Sequence, residues 1–164
     1  MTGRIVAVSI SDERGKKKRN VPSAELRAEH GIVGDAHAGP GKRQVSLLGI
    51  ESIRTMQGKG VEVGPGDFAE NITTEGIEVF SLPVGTRLRL GDGALGEVTQ
   101  IGKTCHDRCE IFRVVGDCVM PREGVFARVL HGGEIRVGEA IALVPAGRQD
   151  AAQRSPTAED AERP

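Results

Sequence analysis

The stretch that decides the fold is TRLRLGDGALGEVTQI, residues 86–101. Apolar and polar side chains alternate on both sides of Gly91-Asp92-Gly93. A glycine-rich connection between two alternating segments is typical of a β-hairpin. We therefore predict two antiparallel strands, over residues 86–90 and 94–101.

Segments of the same kind recur along the chain, each short and each bounded by turn residues. They cover residues 4–9, 21–28, 44–50, 71–74, 125–130, 135–137 and 140–144. One helix is expected over residues 51–60, where Ile53 and Met56 are three positions apart and glycines follow. About eight short strands with regular turns predict a mainly β fold. We expect a closed or partly open β-barrel with one or two short helices.

The composition narrows the class of protein. Four Phe residues and no Trp or Tyr predict an aliphatic core, and 23 glycines favour many tight turns. A net charge of −1 gives no general attraction to nucleic acid. No apolar run approaches the roughly 20 residues that cross a membrane, and no signal peptide is evident. We expect a cytoplasmic monomer or small homo-oligomer that binds neither nucleic acid nor membrane.

The expected domain spans residues 1–145. Residues 146–164 are polar and alanine-rich, with few bulky apolar side chains. Such a composition cannot bury enough apolar surface to offset the entropy of ordering the chain. We therefore predict a disordered C-terminal tail.

All three cysteines, Cys105, Cys109 and Cys118, fall within one short stretch, together with His106 and Arg108. Nearby positive charge lowers the pKa of a thiol and makes it a nucleophile or a metal ligand. Two other readings remain open. The cysteines could be buried for packing, above all Cys118 in its apolar surroundings, or the cluster could form a structural zinc site with His106.

A glycine-rich segment, GIVGDAHAGPGKRQ (residues 31–44), carries Asp35, His37, Lys42 and Arg43. Free backbone N–H groups and guanidinium forks bind phosphate well, so this segment suits an anionic ligand. It has neither the P-loop nor the dinucleotide-binding spacing of glycines. The alternative is a polar loop between strands.

Acid, amide and hydroxyl side chains crowd into GDFAENITTEG, residues 66–76. Asn71 can both donate and accept hydrogen bonds, and Thr73 adds a hydroxyl group. Many turns have this composition, so the stretch alone predicts little.

The basic run at residues 14–19 is RGKKKR. We interpret it first as a solvated, exposed hairpin tip. A contact with phosphate or with a partner protein is the alternative.

Seven stretches, taken together, carry a family resemblance. They are GIVGDAHAG, RQVSLLGIES, VGPGDFAENITTEG, LPVGTRLRLG, EVTQIGKTCHDRC, GDCVMPREGVFARVL and GGEIRVGEAI. They occur in the expected order, and the chain resembles, over roughly residues 3–144, the MOSC family, named for the C-terminal domain of molybdenum cofactor sulfurase. The chain is most similar to its small stand-alone bacterial members.

The resemblance implies a barrel like that of pyruvate kinase and a role with the molybdenum cofactor (molybdopterin) or its precursor. Some members carry or transfer sulfur on a cysteine. In related enzymes a cysteine of an Arg-Cys pair ligates molybdenum, and Arg108-Cys109 occupies the matching place. Cys109 is therefore the first candidate for molybdenum ligand or sulfur carrier, and Cys105 the second. At Ala69 the chain departs from those enzymes, which have an arginine there.

The resemblance also implies roles for the other candidates. Arg108 and His106 would favour the Cys109 thiolate. The remaining candidates would contact the cofactor, through phosphate or polar groups: Lys42, Arg43, Asp35, His37, Asn71 and Thr73. Pyridoxal phosphate belongs to the family only through a sulfurase domain that does not occur in this sequence. Expected partners are cofactor-synthesis proteins or molybdoenzymes. A non-catalytic adaptor that docks on such a partner is the alternative, and a structural zinc domain is a third option.

Overall fold

The computed structural model describes residues 2–13, 17–102 and 120–145. The strands of these ranges are β1 (Thr2–Ile10), β2 (Arg19–Val21), β3 (Ser23–Arg27), β4 (Gly31–Ile32), β5 (Val45–Gly49), β6 (Ile72–Glu75), β7 (Arg87–Leu90), β8 (Ala94–Ile101), β9 (Val125–His131), β10 (Gly133–Arg136) and β11 (Ala140–Val144). The helices are α1 (Ile50–Gly58) and the short α2 (Met120–Glu123), and a 3₁₀ turn spans Val79–Ser81.

Seven strands close into a barrel in the order β11-β7-β8-β9-β5-β6-β1, and β11 pairs back with β1. Thr2 lies opposite Ala142 in this closing antiparallel pair. The β5–β6 pair is parallel, and β2 adds to the outer edge of β1. The predicted mainly β barrel is confirmed, and it is closed.

The barrel interior is aliphatic, as the composition predicts. Ile5, Leu47, Ile72 and Leu88 are each at most 1 % exposed within one cluster of buried side chains. A second cluster packs outside the barrel, where Ile53 and Met56 of α1 lie with Phe68 and other apolar residues. The predicted buried face of the helix is therefore confirmed, although the helix begins at Ile50 and ends at Gly58.

Two predictions about local structure are wrong. The single strand expected over residues 21–28 is two strands, β2 and β3, interrupted at Pro22. Proline has no N–H to continue a ladder, and β3 turns away to pair with β10 and β4 in a separate three-stranded sheet. No strand was predicted at the start of the glycine-rich segment, residues 31–44, but Gly31 and Ile32 form β4, because they pair with β3.

The barrel has two ends, named here by one residue each. The Ser11 end holds the C-terminus of β1 and the N-termini of β5 and β6. The Gly49 end holds the C-termini of β5, β6 and β8 and the N-termini of β1 and β9. Across the Gly49 end, the Gly102 N–H donates to the Gly124 carbonyl oxygen at 2.6 Å.

Two segments lie outside the described residues: the cysteine segment, residues 103–119, and the proposed tail, residues 146–164. Within the described ranges, no helix is long and apolar enough to cross a membrane.

Candidate functional site

A buried ion pair lies beside the Ser11 end of the barrel. The Lys18 Nζ donates to Asp35 Oδ1 at 2.8 Å, and both side chains are fully buried. The same ammonium group lies 3.0 Å from His37 Nδ1. Because an ammonium group only donates, the Nδ1 atom accepts this bond and any proton of the neutral ring is on Nε2. His37 is partly exposed, so the group joins a buried charge pair to the surface.

The Asp35 carboxylate is held by donors on both oxygen atoms. Ser11 N–H donates to Oδ1 at 3.0 Å, and His37 N–H donates to Oδ2 at 3.1 Å. Burial alone would raise the pKa of the Asp35 carboxyl, but the hydrogen bonds from Lys18 and Ser11 and the Lys18 charge outweigh it, so the pKa is lowered. The carboxylate is therefore ionised at neutral pH.

The prediction of a solvated basic run is wrong at Lys18, whereas Lys17 and Arg19 are exposed. Lys18 is only 4 % exposed instead of forming part of a solvated tip. Arg19 opens strand β2 and contacts Asp12 on the surface. Three of the six residues of the run, 14–16, lie outside the described residues.

A second buried carboxylate, Glu70, fixes the loop before β6. Its oxygens accept hydrogen bonds from Gly66 N–H at 2.8 Å, Phe68 N–H at 3.2 Å and the Thr73 hydroxyl at 2.9 Å. Burial raises the pKa of the Glu70 carboxyl, and these hydrogen bonds only partly oppose the rise. Thr73, predicted as a cofactor contact, thus holds Glu70 in this structure.

Gly66 connects the two carboxylates. Its carbonyl accepts the Lys18 N–H at 2.9 Å. Its φ is +92°, and a Cβ atom there would lie 2.5 Å from the Lys18 carbonyl oxygen. Only glycine fits at this point, and the close approach of the two backbones places Lys18 beside Asp35.

Asn71 is fully buried, and its side-chain amide joins strands β1 and β5. The Nδ2 group donates to the Ser9 carbonyl at 3.1 Å. The Oδ1 atom accepts from the Ser46 N–H at 3.0 Å and from the Ser46 hydroxyl at 3.2 Å. These bonds use the amide inside the protein, so Asn71 positions the strands around the site.

Four of the predicted site residues therefore meet in one region, although they come from two separate stretches of sequence. Asp35 and His37 are linked through Lys18 and Gly66 to the loop that leads to Asn71 and on to Thr73 in β6. Sequence reasoning missed Lys18, which a run of cations hides, and Glu70, whose only signal was its place beside Asn71.

Lys42 and Arg43 lie in a different place, against the C-terminal end of β8. The Arg43 Nε donates to Gln100 Oε1 at 3.2 Å, and its guanidinium lies 5.2 Å from the centre of the Phe126 ring. The Lys42 carbonyl accepts from the Thr99 hydroxyl. Both cationic side chains are exposed, a setting in which they can meet an anionic ligand.

The predicted catalytic residues Cys105, His106, Arg108 and Cys109 lie outside the described residues, as do Lys103 and Cys118. Their roles stay predictions. Among the described residues, no group of three His, Cys, Asp or Glu side chains could hold a metal ion.

Comparison with known proteins decides the family. The sequence profile of the MOSC domain matches residues 34–142, which is more than half of the chain. The chain belongs to the MOSC domain family. The matched range includes Asp35, His37, Lys42, Arg43 and Asn71, and it also spans the cysteine segment. Membership is consistent with a molybdenum-cofactor-associated role. Comparison with curated protein sequences gave no match.

Solved structures share the fold of this MOSC domain. The YuaD protein of Bacillus subtilis is 20% identical with a TM-score of 0.72, over 86% of this chain and 94% of that one. YiiM of Geobacillus stearothermophilus is 20% identical with a TM-score of 0.65, over 89% of this chain and 77% of that one. YiiM of Escherichia coli is 19% identical with a TM-score of 0.60, over 87% and 70%.

Proposed function

We propose that this MOSC domain binds the molybdenum cofactor or its precursor and that Cys109 is the thiolate ligand or persulfide carrier. Arg108 and His106 would favour the thiolate form, and Cys105 is the second candidate for the sulfur. The proposal rests on family membership, on the Arg108-Cys109 pair and on the position of the two exposed cations.

The single observation that carries the proposal is the connection between Arg43 and the start of the cysteine segment. Gln100 accepts from Arg43 Nε and donates through Nε2 to the Gly102 carbonyl at 2.9 Å. Gly102 is the last described residue before Lys103. A cation suited to phosphate is therefore tied to the backbone from which the thiol-bearing segment continues.

The chemistry of the donor set fits the cofactor. Exposed ammonium and guanidinium groups at Lys42 and Arg43 suit the terminal phosphate of the pterin. When bound, the cofactor supplies a molybdenum ion that takes soft sulfur ligands, for which a cysteine thiolate is suitable. His37, beside the Ser11 end, would contact a polar group of the cofactor. Asn71 and Thr73 would then act through the strands and loop that they hold.

Two measurements test this proposal. Purified protein is incubated with molybdenum cofactor, and retention is compared for wild type, Cys109→Ala and Arg43→Ala, with Arg27→Ala as a matched exposed-arginine control. We expect both site variants to lose retained molybdenum and Arg27→Ala to keep it. Wild-type-like retention and sulfur transfer by Cys109→Ala would contradict the proposal.

The rate of thiol alkylation near neutral pH separates a carrier from a non-catalytic adaptor. A carrier Cys109 alkylates fast because its thiolate is populated, whereas Cys118 is expected to react slowly and serves as the internal control. Equal slow rates at all three cysteines would favour the adaptor. Stoichiometric zinc with unfolding by a chelator would favour the zinc domain.

A further inference from the structure

A cleft of about 240 Å³ opens at the Gly49 end of the barrel. Its walls include Gly49, Glu51, Glu78 and Phe80, and none of the described residues that line it is Lys or Arg. Ser52, also in the wall, donates to Glu123 Oε1 at 2.5 Å. The cleft is therefore acidic and lies beside the segment that leads into β9.

Beside Gly49, which forms part of the cleft wall, a buried polar atom lacks a hydrogen-bond partner among the described residues. Thr74 is fully buried, and its Oγ1 atom has no hydrogen-bond partner among the described residues. Gly49 and Thr74 are paired on neighbouring parallel strands. The Oγ1 atom lies 3.9 Å from the position that a Cβ of Gly49 would take. The hydroxyl thus faces the space that this glycine leaves open.

A carboxylate oxygen borders the same space. Glu51 Oε1 lies 2.9 Å from the Cβ position of Gly49, while Glu51 Oε2 accepts the Gly76 N–H at 2.9 Å. Helix α1 begins here, with partial positive charge at its N-terminus, and Glu51 in the first turn offsets it. Glu78 adds a further negative charge, so the mouth of the cleft favours cations.

We propose that this cleft binds a small organic cation with N–H donors, such as a primary alkylammonium. The ammonium donates to Glu51 Oε1 and to the Glu78 carboxylate, and the Thr74 hydroxyl beside Gly49 is a further acceptor. The alkyl part packs on Ile77, Val79 and Phe80. The volume equals that of about eight water molecules, which suits a ligand of a few non-hydrogen atoms.

Gly49→Ala is the decisive variant. The backbone at Gly49 has φ −71° and ψ 142°, which any residue adopts. The added Cβ meets only the end of the flexible Glu51 side chain within 3 Å, so the variant should fold. It fills the space between Glu51 and Thr74. Gly58→Ala, at the other end of α1, meets nothing within 4 Å and is the matched control.

The experiment is a titration of the full-length ¹⁵N-labelled protein with n-butylammonium, followed through the amide signals of Gly49 and Gly76. We expect saturable shifts at these amides. Gly49→Ala and Glu78→Gln should each weaken binding about tenfold or more. The alanine methyl group fills the space that the ammonium needs, and the glutamine removes a negative charge that accepts its hydrogen bond. Thr74→Val should weaken it less, and Gly58→Ala should leave it unchanged.

Neutral n-butanol and anionic butyrate are the ligand controls. The proposal is overturned if n-butylammonium gives no saturable shift, if n-butanol binds as well, or if Gly49→Ala binds like wild type. None of these readouts involves Cys109 or molybdenum, so a failure here leaves the proposed cofactor role standing, and the reverse also holds.

Discussion

Replacing Lys18 by methionine tests the buried ion pair beside the Ser11 end. The change keeps the length of the side chain but removes the charge that faces Asp35 at 2.8 Å, where both side chains have no exposed surface. Asp35 would keep two backbone N–H donors and lose the Lys18 ammonium. Removing one member of a buried pair costs about 3–5 kcal/mol, since the other charge stays buried without compensation. That is a large part of the about 5–15 kcal/mol that stabilises a domain.

The assay is urea unfolding followed by far-UV circular dichroism, because the chain has no Trp or Tyr to report by fluorescence. Arg19→Met is the control, because the Arg19 side chain is 64% exposed and that of its partner Asp12 is 86% exposed. This variant should change the free energy of unfolding by no more than about 0.5 kcal/mol. In the double variant with Asp35→Asn, the two losses should not add, because the sites share one interaction. A Lys18→Met protein within about 1 kcal/mol of wild type would refute the reasoning.

The remaining predictions concern the buried polar groups. The folded-state pKa of Glu70 is raised above its usual 4.5. The free energy of unfolding should therefore fall as the pH rises from 4.5 through the folded-state pKa. Urea titrations at several pH values should show this decline in the wild type and not in Glu70→Gln. Asp35 has the opposite sign: its lowered pKa gives stability that is present above the usual 3.8 and lost as the pH falls through the folded value, so Asp35→Asn should flatten the acid limb of the same profile. Asn71→Ala should destabilise the fold by about 1–3 kcal/mol, since it leaves Ser9 and Ser46 groups unpaired, and an unchanged midpoint would contradict that role. Thr74→Val should raise the midpoint of thermal unfolding, because it removes a buried hydroxyl that has no partner in the described part of the chain; a lower midpoint would indicate that the hydroxyl is hydrated or bonded.

The parts of the fold that were predictable depend on local signals. The hairpin of β7 and β8 has its alternation and its glycine turn within sixteen residues, and the structure has these strands at Arg87–Leu90 and Ala94–Ile101. The closing β1–β11 pair joins strands from opposite ends of the domain. No local pattern specifies such a partner, and the barrel followed only from the number of strands and the spacing of turns.

The candidate site was predictable only in its residue types. Asp35 and His37 are separated by two positions, so a single glycine-rich segment indicated both. Lys18 reaches Asp35 across seventeen positions, and Asn71 reaches Ser9 across sixty-two. These contacts arise when strands come together in three dimensions, and a basic run gives no sign that one of its lysines is buried.

The β1–β11 pair has a consequence for anything tethered to this domain. Thr2 lies opposite Ala142, so the start of the first barrel strand and the end of the last one are neighbours in space at the Gly49 end. A protein fused directly before Thr2 or after Pro145 would be held close to this cleft and to the backbone that continues into the cysteine segment. A short flexible tether confers a local concentration in the millimolar range, so fusion alone would favour delivery of a small product to this end of the barrel. The two positions would serve that purpose equally well, and a circular permutant that joins Val144 to Thr2 through a short linker should close the same barrel.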